Sequence, residues 1–257
     1  MTILLEAKNI QFSVATHKSS FFTPLRKNVL QDVSLHVAER ETLGIVGSSG
    51  SGKSTLSRIL TGLVRPEKGE IFFRGQSLID TRRQVRKDVR PSIQMIFQDP
   101  QGALDPRQTV RQIVKEPLHQ TPLDNEEKER RVRQALADVA LPEDAADRYP
   151  RMFSGGQRQR IAIARALVTR PSVIIADEAV SALDVSTQAV VLNLLLDLQS
   201  RHGLSYVFVS HDLAVIRHIS HRVAVLDAGR IVETGATLSV LDHPQHPTTR
   251  ALIDASL

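Results

Sequence analysis

The sequence predicts an α/β protein: a mainly parallel, covered sheet, flanked by antiparallel strands and carrying an inserted helical lobe. Three observations predict it. Short apolar, β-prone runs alternate with helical patterns, in the order TLGIV, TLSRILTGL, SVIIAD, QAVVLNLLLDLQ, SYVFVS. Two segments, GEIFFRGQSL and RVAVLDAGRIVETG, depart from the alternation and read as hairpins turning at Arg74-Gly75 and Asp227-Ala228-Gly229. Residues from about 100 to 150 are polar, with breaks at Pro117 and Pro122, and then hold a charged amphipathic helix.

Taken in order, MTILLEAKNI supplies a first strand, and TLGIV supplies a buried one that leads into a glycine-rich turn. Leu56, Ile59, Leu60 and Leu63 then recur at i, i+3, i+4 and i+7, the spacing of one helix face. In the lobe, Val132, Leu136 and Val139 share a side, and the charges around them form a solvated face. Val173 to Ala176 fit a strand buried on both faces. One domain spans 1–257, with the helical lobe at about 100–165 and a tail at about 236–257.

Composition narrows the function. The chain of 257 residues has no cysteine, which excludes disulfide frameworks, thiolate metal sites and iron–sulfur clusters. MTILLEAKNI lacks the charged start and apolar core of a signal peptide. No run reaches about 18 apolar residues, and VVLNLLLDL is broken by Asn193 and Asp197, so no membrane span is predicted. A net charge of +5 suits nucleic acid, anionic lipid or bound phosphates equally. Aromatics are only 4%, which argues against base stacking, and no nucleic-acid partner is predicted.

GSSGSGKS, from Gly47 to Ser54, satisfies G-x-x-x-x-G-K-[ST] between a strand and a helix. Backbone amides of Gly47, Ser48, Ser49, Gly50, Ser51, Gly52, Lys53, Ser54 and Thr55 can then approach phosphate oxygens closely. Lys53 supplies a cation to the β- and γ-phosphates, and the Ser54 hydroxyl can ligate Mg²⁺. A nucleoside-triphosphate site follows. Asp177 and Glu178 close the strand SVIIAD at the end where parallel sheets bind ligands. Asp177 can hold the Mg²⁺ shell, and Glu178 can polarise an attacking water. His211 and Gln98 also follow apolar strands; His211 is a candidate γ-phosphate contact, and Gln98 a contact to Mg²⁺ or water.

MFSGGQRQRIAIARAL raises a question of its own. Small, amide-rich residues at a helix start make an anion nest, yet the first cradle already holds a phosphate. With GSSGSGKS, Gln98, FSGGQ, VIIADE, SALD (Ser181 to Asp184) and His211 in that order, the chain resembles the ATP-binding subunits of ABC transporters. The resemblance implies the ABC ATPase fold, with a P-loop core, an antiparallel β-subdomain and a helical subdomain. It implies ATP and Mg²⁺, and two cassettes packed head to tail. Ser154, Gly155, Gly156 and Gln157 would grip the partner cassette's ATP, and Asp184 would lie at the dimer interface. It also implies integral membrane permease subunits as partners, a substrate-binding protein as an indirect one, and a peripheral place on the cytoplasmic face of the bacterial inner membrane.

MIFQDPQGALDPRQTV, RYPRMFSGGQRQRIAIARAL, DEAVSALDVSTQA, HPQHPTTRALIDA and the insertion FFTPLRK look like the oligopeptide, dipeptide and nickel importer branch. The short tail after HPQHP and DEAVS lean towards its nickel or metallophore members over its peptide members. Two positions depart from the family pattern. Phe153 stands in place of the usual signature leucine. Val14 stands where an aromatic normally stacks on adenine, so either Phe12 on the same strand substitutes, or Phe21 or Phe22 of the insertion does, or stacking is weak; the plain alternative for Phe12 is core packing. Other classes fit less well. DNA-repair ATPases insert long coiled coils, but 55 residues separate Gln98 from Ser154, without heptads. A GTPase would need N-K-x-D, which is lacking; an exporter or lipoprotein-release cassette is nearer, and FQDPQGALDPR and HPTTRAL argue against it.

Overall fold

A computed structural model describes residues 2–15, 26–81 and 84–255. Along the chain run strands β1 (Ile3–Ala15), β2 (Arg26–Ala38) and β3 (Thr42–Val46), helix α1 (Lys53–Leu60), and strands β4 (Lys68–Phe73) and β5 (Gln76–Ser77). Next come strand β6 (Ile93–Ile96), helices α2 (Pro100–Ala103), α3 (Val110–Lys115), α4 (Asn125–Asp138) and α5 (Gly155–Leu167), strand β7 (Val173–Asp177) and helix α6 (Val185–His202). Strand β8 (Ser205–Val209), helix α7 (Leu213–Ile219), strands β9 (Arg222–Asp227) and β10 (Arg230–Ala236), and helices α8 (Thr237–Asp242) and α9 (Pro247–Asp254) follow. The chain divides into two compact units, Met1–Arg86 with Tyr206–Leu257, and Lys87–Ser205.

In the first unit β3 lies between β8 and β9 and runs parallel to both, with Ile45 opposite Val209 and Ala224. All five residues of β3 are buried, which is why TLGIV shows no alternation. The β9–β10 hairpin turns where predicted: Ala228 and Gly229 both take positive φ, 44° and 78°, as a two-residue primed turn requires. A second, antiparallel sheet has the order β2-β1-β4-β5. The prediction for α1 fails at its end. The helix stops at Leu60, Gly62 turns with φ 74° and donates to Ile59 O, and Leu63 is 61% exposed instead of joining the apolar face.

In the second unit β6 and β7 form a parallel pair, with Ile93 opposite Val173 and Ile96 opposite Ala176. Val132, Leu136 and Val139 are buried as their spacing predicted. The solvated face of α4 holds for Glu126, Arg130 and Arg133 but not for Glu129. Glu129 accepts from Arg111 Nη1 at 2.7 Å and Lys115 Nζ at 2.8 Å, tying α4 to α3. These partners hold its carboxyl below the usual range, Lys115 most of all. Charges that look solvated in one helix are consumed by a neighbouring one.

Candidate functional site

The first unit carries the candidate phosphate cradle. Strand β3 ends at Val46, the loop from Gly47 to Gly52 turns, and α1 leaves with Lys53, Ser54 and Thr55 in its first turn. Gly47 has φ 155°, and a methyl placed on it would lie 2.0 Å from Leu226 O of β9. Gly52 has φ 110°, and a methyl there would lie 2.8 Å from Leu30 Cδ2 and 2.9 Å from Val29 O. Only glycine fits either position. The loop is braced from outside by the β9–β10 turn and by β2: Gly229 N donates to Ser51 O at 3.1 Å, and Gln31 N to Gly229 O at 2.8 Å. Ser48, Ser49 and Gly50 face solvent at the open side.

Lys53 is 7% exposed, and its ammonium donates to Gly47 O at 2.7 Å and Ser48 O at 2.9 Å. The cation is thus fixed to the loop that it serves. Among the described residues, Ser51 Oγ is buried without a hydrogen-bond partner. A braced amide loop, an anchored cation and an orphaned hydroxyl donor together fit a polyphosphate.

His211 follows Ser210, the residue after β8; Ser210 N donates to Ile45 O at 3.2 Å. It is exposed, and the next residue, Asp212, caps α7 by accepting from Ala214 N at 2.8 Å. Phe12 on β1 pairs with Leu30 on β2, the residue that packs against Gly52. Phe12 is half-buried and Val14 is 40% exposed. Phe21 and Phe22 lie outside the described residues.

The second unit carries the acidic pair and the second nest. Asp177 ends β7 and is 5% exposed. Glu178 takes a left-handed backbone, φ 48°, which costs a non-glycine residue of order 1–3 kcal/mol and turns it away from the strand direction. Its Oε2 accepts from Gln98 Nε2 at 2.8 Å, so residues 80 positions apart meet. Ser154 caps α5 in a reciprocal box with Gln157: Ser154 Oγ accepts from Gln157 N, and Gln157 Oε1 accepts from Ser154 N at 3.0 Å. Ser154, Gly155 and Gln157 are exposed. Asp184 caps α6, accepting from Thr187 N at 2.9 Å, Thr187 Oγ1 at 2.7 Å and Ser186 Oγ at 2.6 Å. Ser186 and Thr187 hold its carboxyl well below the usual carboxylate range.

The family profile described as ABC transporter matches residues 30–181. The dipeptide transport ATP-binding protein of Escherichia coli is 47% identical over 98% of this chain and 76% of its own length. The chain belongs to the ABC transporter ATP-binding family. The oligopeptide transport ATP-binding protein of Bacillus subtilis is 49% identical over 87% of this chain and 68% of its own. The glutathione import ATP-binding protein of Salmonella paratyphi A is 49% identical over 93% of this chain, which spans 39% of that protein. Among solved structures, a dimeric ATP-binding cassette in a post-hydrolysis state with ADP and Pi has a TM-score of 0.77 at 30% identity, covering 91% of this chain and 99% of that one.

The fold is therefore that of the ABC cassettes, and the chain is an ATP-binding, ATP-hydrolysing cassette of the transporter family. The relatives' names fall on the peptide side of the branch; the nickel side that the sequence leaned towards is not shown by them. Among the described residues no helix is long and apolar enough to cross a membrane. Within its units the cassette joins Gln98 to Glu178 and the cradle to Lys53. Two features had no sequence signal strong enough to find them: the bracing of the loop by Val29, Leu226 and Gly229, and the approach of Thr187 to Gly156.

Proposed function

We propose that this cassette is the energy-coupling subunit of a bacterial importer for peptides, bound peripherally to integral permease subunits at the cytoplasmic face of the inner membrane and served indirectly by a substrate-binding protein. The dipeptide, oligopeptide and glutathione transport names of its relatives support this cargo class. Gly47 to Thr55 cradle the ATP phosphates, and Phe12 supplies the apolar contact to the base. Ser54, Asp177 and Gln98 offer the hard oxygen donors that suit Mg²⁺, whose charge neutralises the phosphates when bound. Glu178 takes the proton of the attacking water, and His211 contacts the γ-phosphate.

One observation carries the composite reading: the chain has two amide nests, one closed around its own lysine and one open to solvent at the start of α5. A second nest that lies open to solvent is redundant in a monomer and useful against a partner's nucleotide. Ser154, Gly155, Gly156 and Gln157 therefore close on the ATP of a second cassette, with Asp184 at that interface. The groove that receives the permease is lined from the helical lobe and the Gln98 region, including Asp99 to Arg107, a segment held to α5 by Arg165, which donates to Ala103 O at 3.3 Å and pairs with Glu116.

The test is the mass in solution of Glu178→Gln with and without ATP and Mg²⁺. A nucleotide-dependent dimer means that the open nest closes on a copy of the same chain. ATP binding without a dimer means that the partner is a different cassette, to be co-purified from its own membrane. Failure to bind ATP at all overturns the assignment of the cradle.

A further inference from the structure

The two signature glycines are glycine for different reasons. A methyl on Gly155 would meet only Leu183 Cδ2, at 3.8 Å, an ordinary contact. A methyl on Gly156 would lie 2.4 Å from Thr187 Cγ2, inside any tolerable separation. Gly156 sits within α5 and takes no positive φ, so its lack of a side chain answers to Thr187 and not to backbone conformation. Thr187 is also bonded to Asp184, through both its amide and its hydroxyl. One side chain thus presses its methyl on the signature and ties its hydroxyl to the cap of α6.

We propose that Thr187 is a positioning residue that sets the open nest of α5 against the Asp184 cap of α6, so that a displacement of Asp184 at the dimer interface moves the amides that hold the partner's γ-phosphate. This rests on the reading of Ser154 to Gln157 as a contact to the partner's nucleotide. The linkage is short and stiff. Thr187 is β-branched, with few rotamers to absorb a push, and the close Gly156 contact leaves no slack. The cap and the nest are therefore one rigid element with two faces, one that senses the neighbouring cassette and one that grips its nucleotide.

The test measures ATP hydrolysis by the cassette purified with its membrane partners. Gly156→Ala should lower kcat about 10²-fold, as a displacement of about 1 Å at a reacting group does. KM for ATP should stay within about two-fold, because the cassette's own cradle is untouched. Thr187→Ser removes the methyl, keeps the hydroxyl, and should restore most of the lost kcat when combined with Gly156→Ala. Thr187→Val leaves Gly156 intact and removes the hydroxyl's bond to Asp184 while keeping the amide's; it should lower kcat several-fold at unchanged KM, and it keeps the test open if Gly156→Ala does not fold.

Wild-type kcat in Gly156→Ala, or in Thr187→Val, overturns the proposal. So does a double variant no better than Gly156→Ala while Thr187→Ser alone is active. Ser154→Arg separates the two levels. If it hydrolyses ATP fully, the nucleotide reading of the nest is wrong; if it is inactive and the double variant is not rescued, only the role of Thr187 is.

Discussion

The two glycine-rich turns of this chain look alike in sequence and differ in construction. Gly47 to Ser54 is enclosed: two glycines with positive φ press against β9 and β2, and a buried lysine is bonded to the loop's own carbonyls. Ser154 to Gln157 is open: its serine and glutamine satisfy each other in a capping box, and three of its four residues face solvent. The first is closed by what its own unit supplies. The second keeps its amides at the surface, where its own unit does not close over them. An anion nest is judged less by its glycines than by what closes it.

Four substitutions sharpen or break that contrast. Lys53→Ala should have the largest effect, abolishing productive ATP binding measured by equilibrium titration, because its ammonium is bonded to the closed loop's own carbonyls. Retained affinity would remove the distinction between the nests. Glu178→Gln should slow hydrolysis by roughly 10²–10⁴ while leaving ATP affinity unchanged. Near-normal turnover would remove Glu178 as the base and leave its hydrogen bond with Gln98 a structural one. Ser154→Arg should lower hydrolysis about 10²-fold while the isolated chain still binds ATP, since the large side chain blocks only the open nest. Lost binding in that variant would mean that the nest serves its own chain. Phe12→Ala should be mildest, weakening ATP affinity about ten-fold, at the low end of the ~1–3 kcal/mol that a stacked ring contributes. Unchanged affinity would return Phe12 to core packing against Leu30.

Local chemistry made much of this legible in the sequence. The strand before the cradle, the two hairpins at Arg74-Gly75 and Asp227-Ala228-Gly229, and the buried face of α4 follow from residue type and period. Where the reading failed, a local pattern met a local stop. Leu63 continued the helical spacing, but Gly62 ended the turn before it. Glu129 carried the right charge for solvent, but Arg111 and Lys115 reached it from α3.

By itself the sequence determined the cradle, the acidic pair and the open nest, because each is written in a few contiguous residues whose chemistry does not depend on distant ones. Only the tertiary structure decided what closes on them. Leu226 O stands against Gly47, Gln98 holds Glu178 across 80 positions, and Thr187 fills the space that Gly156 leaves. These contacts depend on how separate elements are brought together by burial of their apolar faces, and no short stretch of residues encodes that.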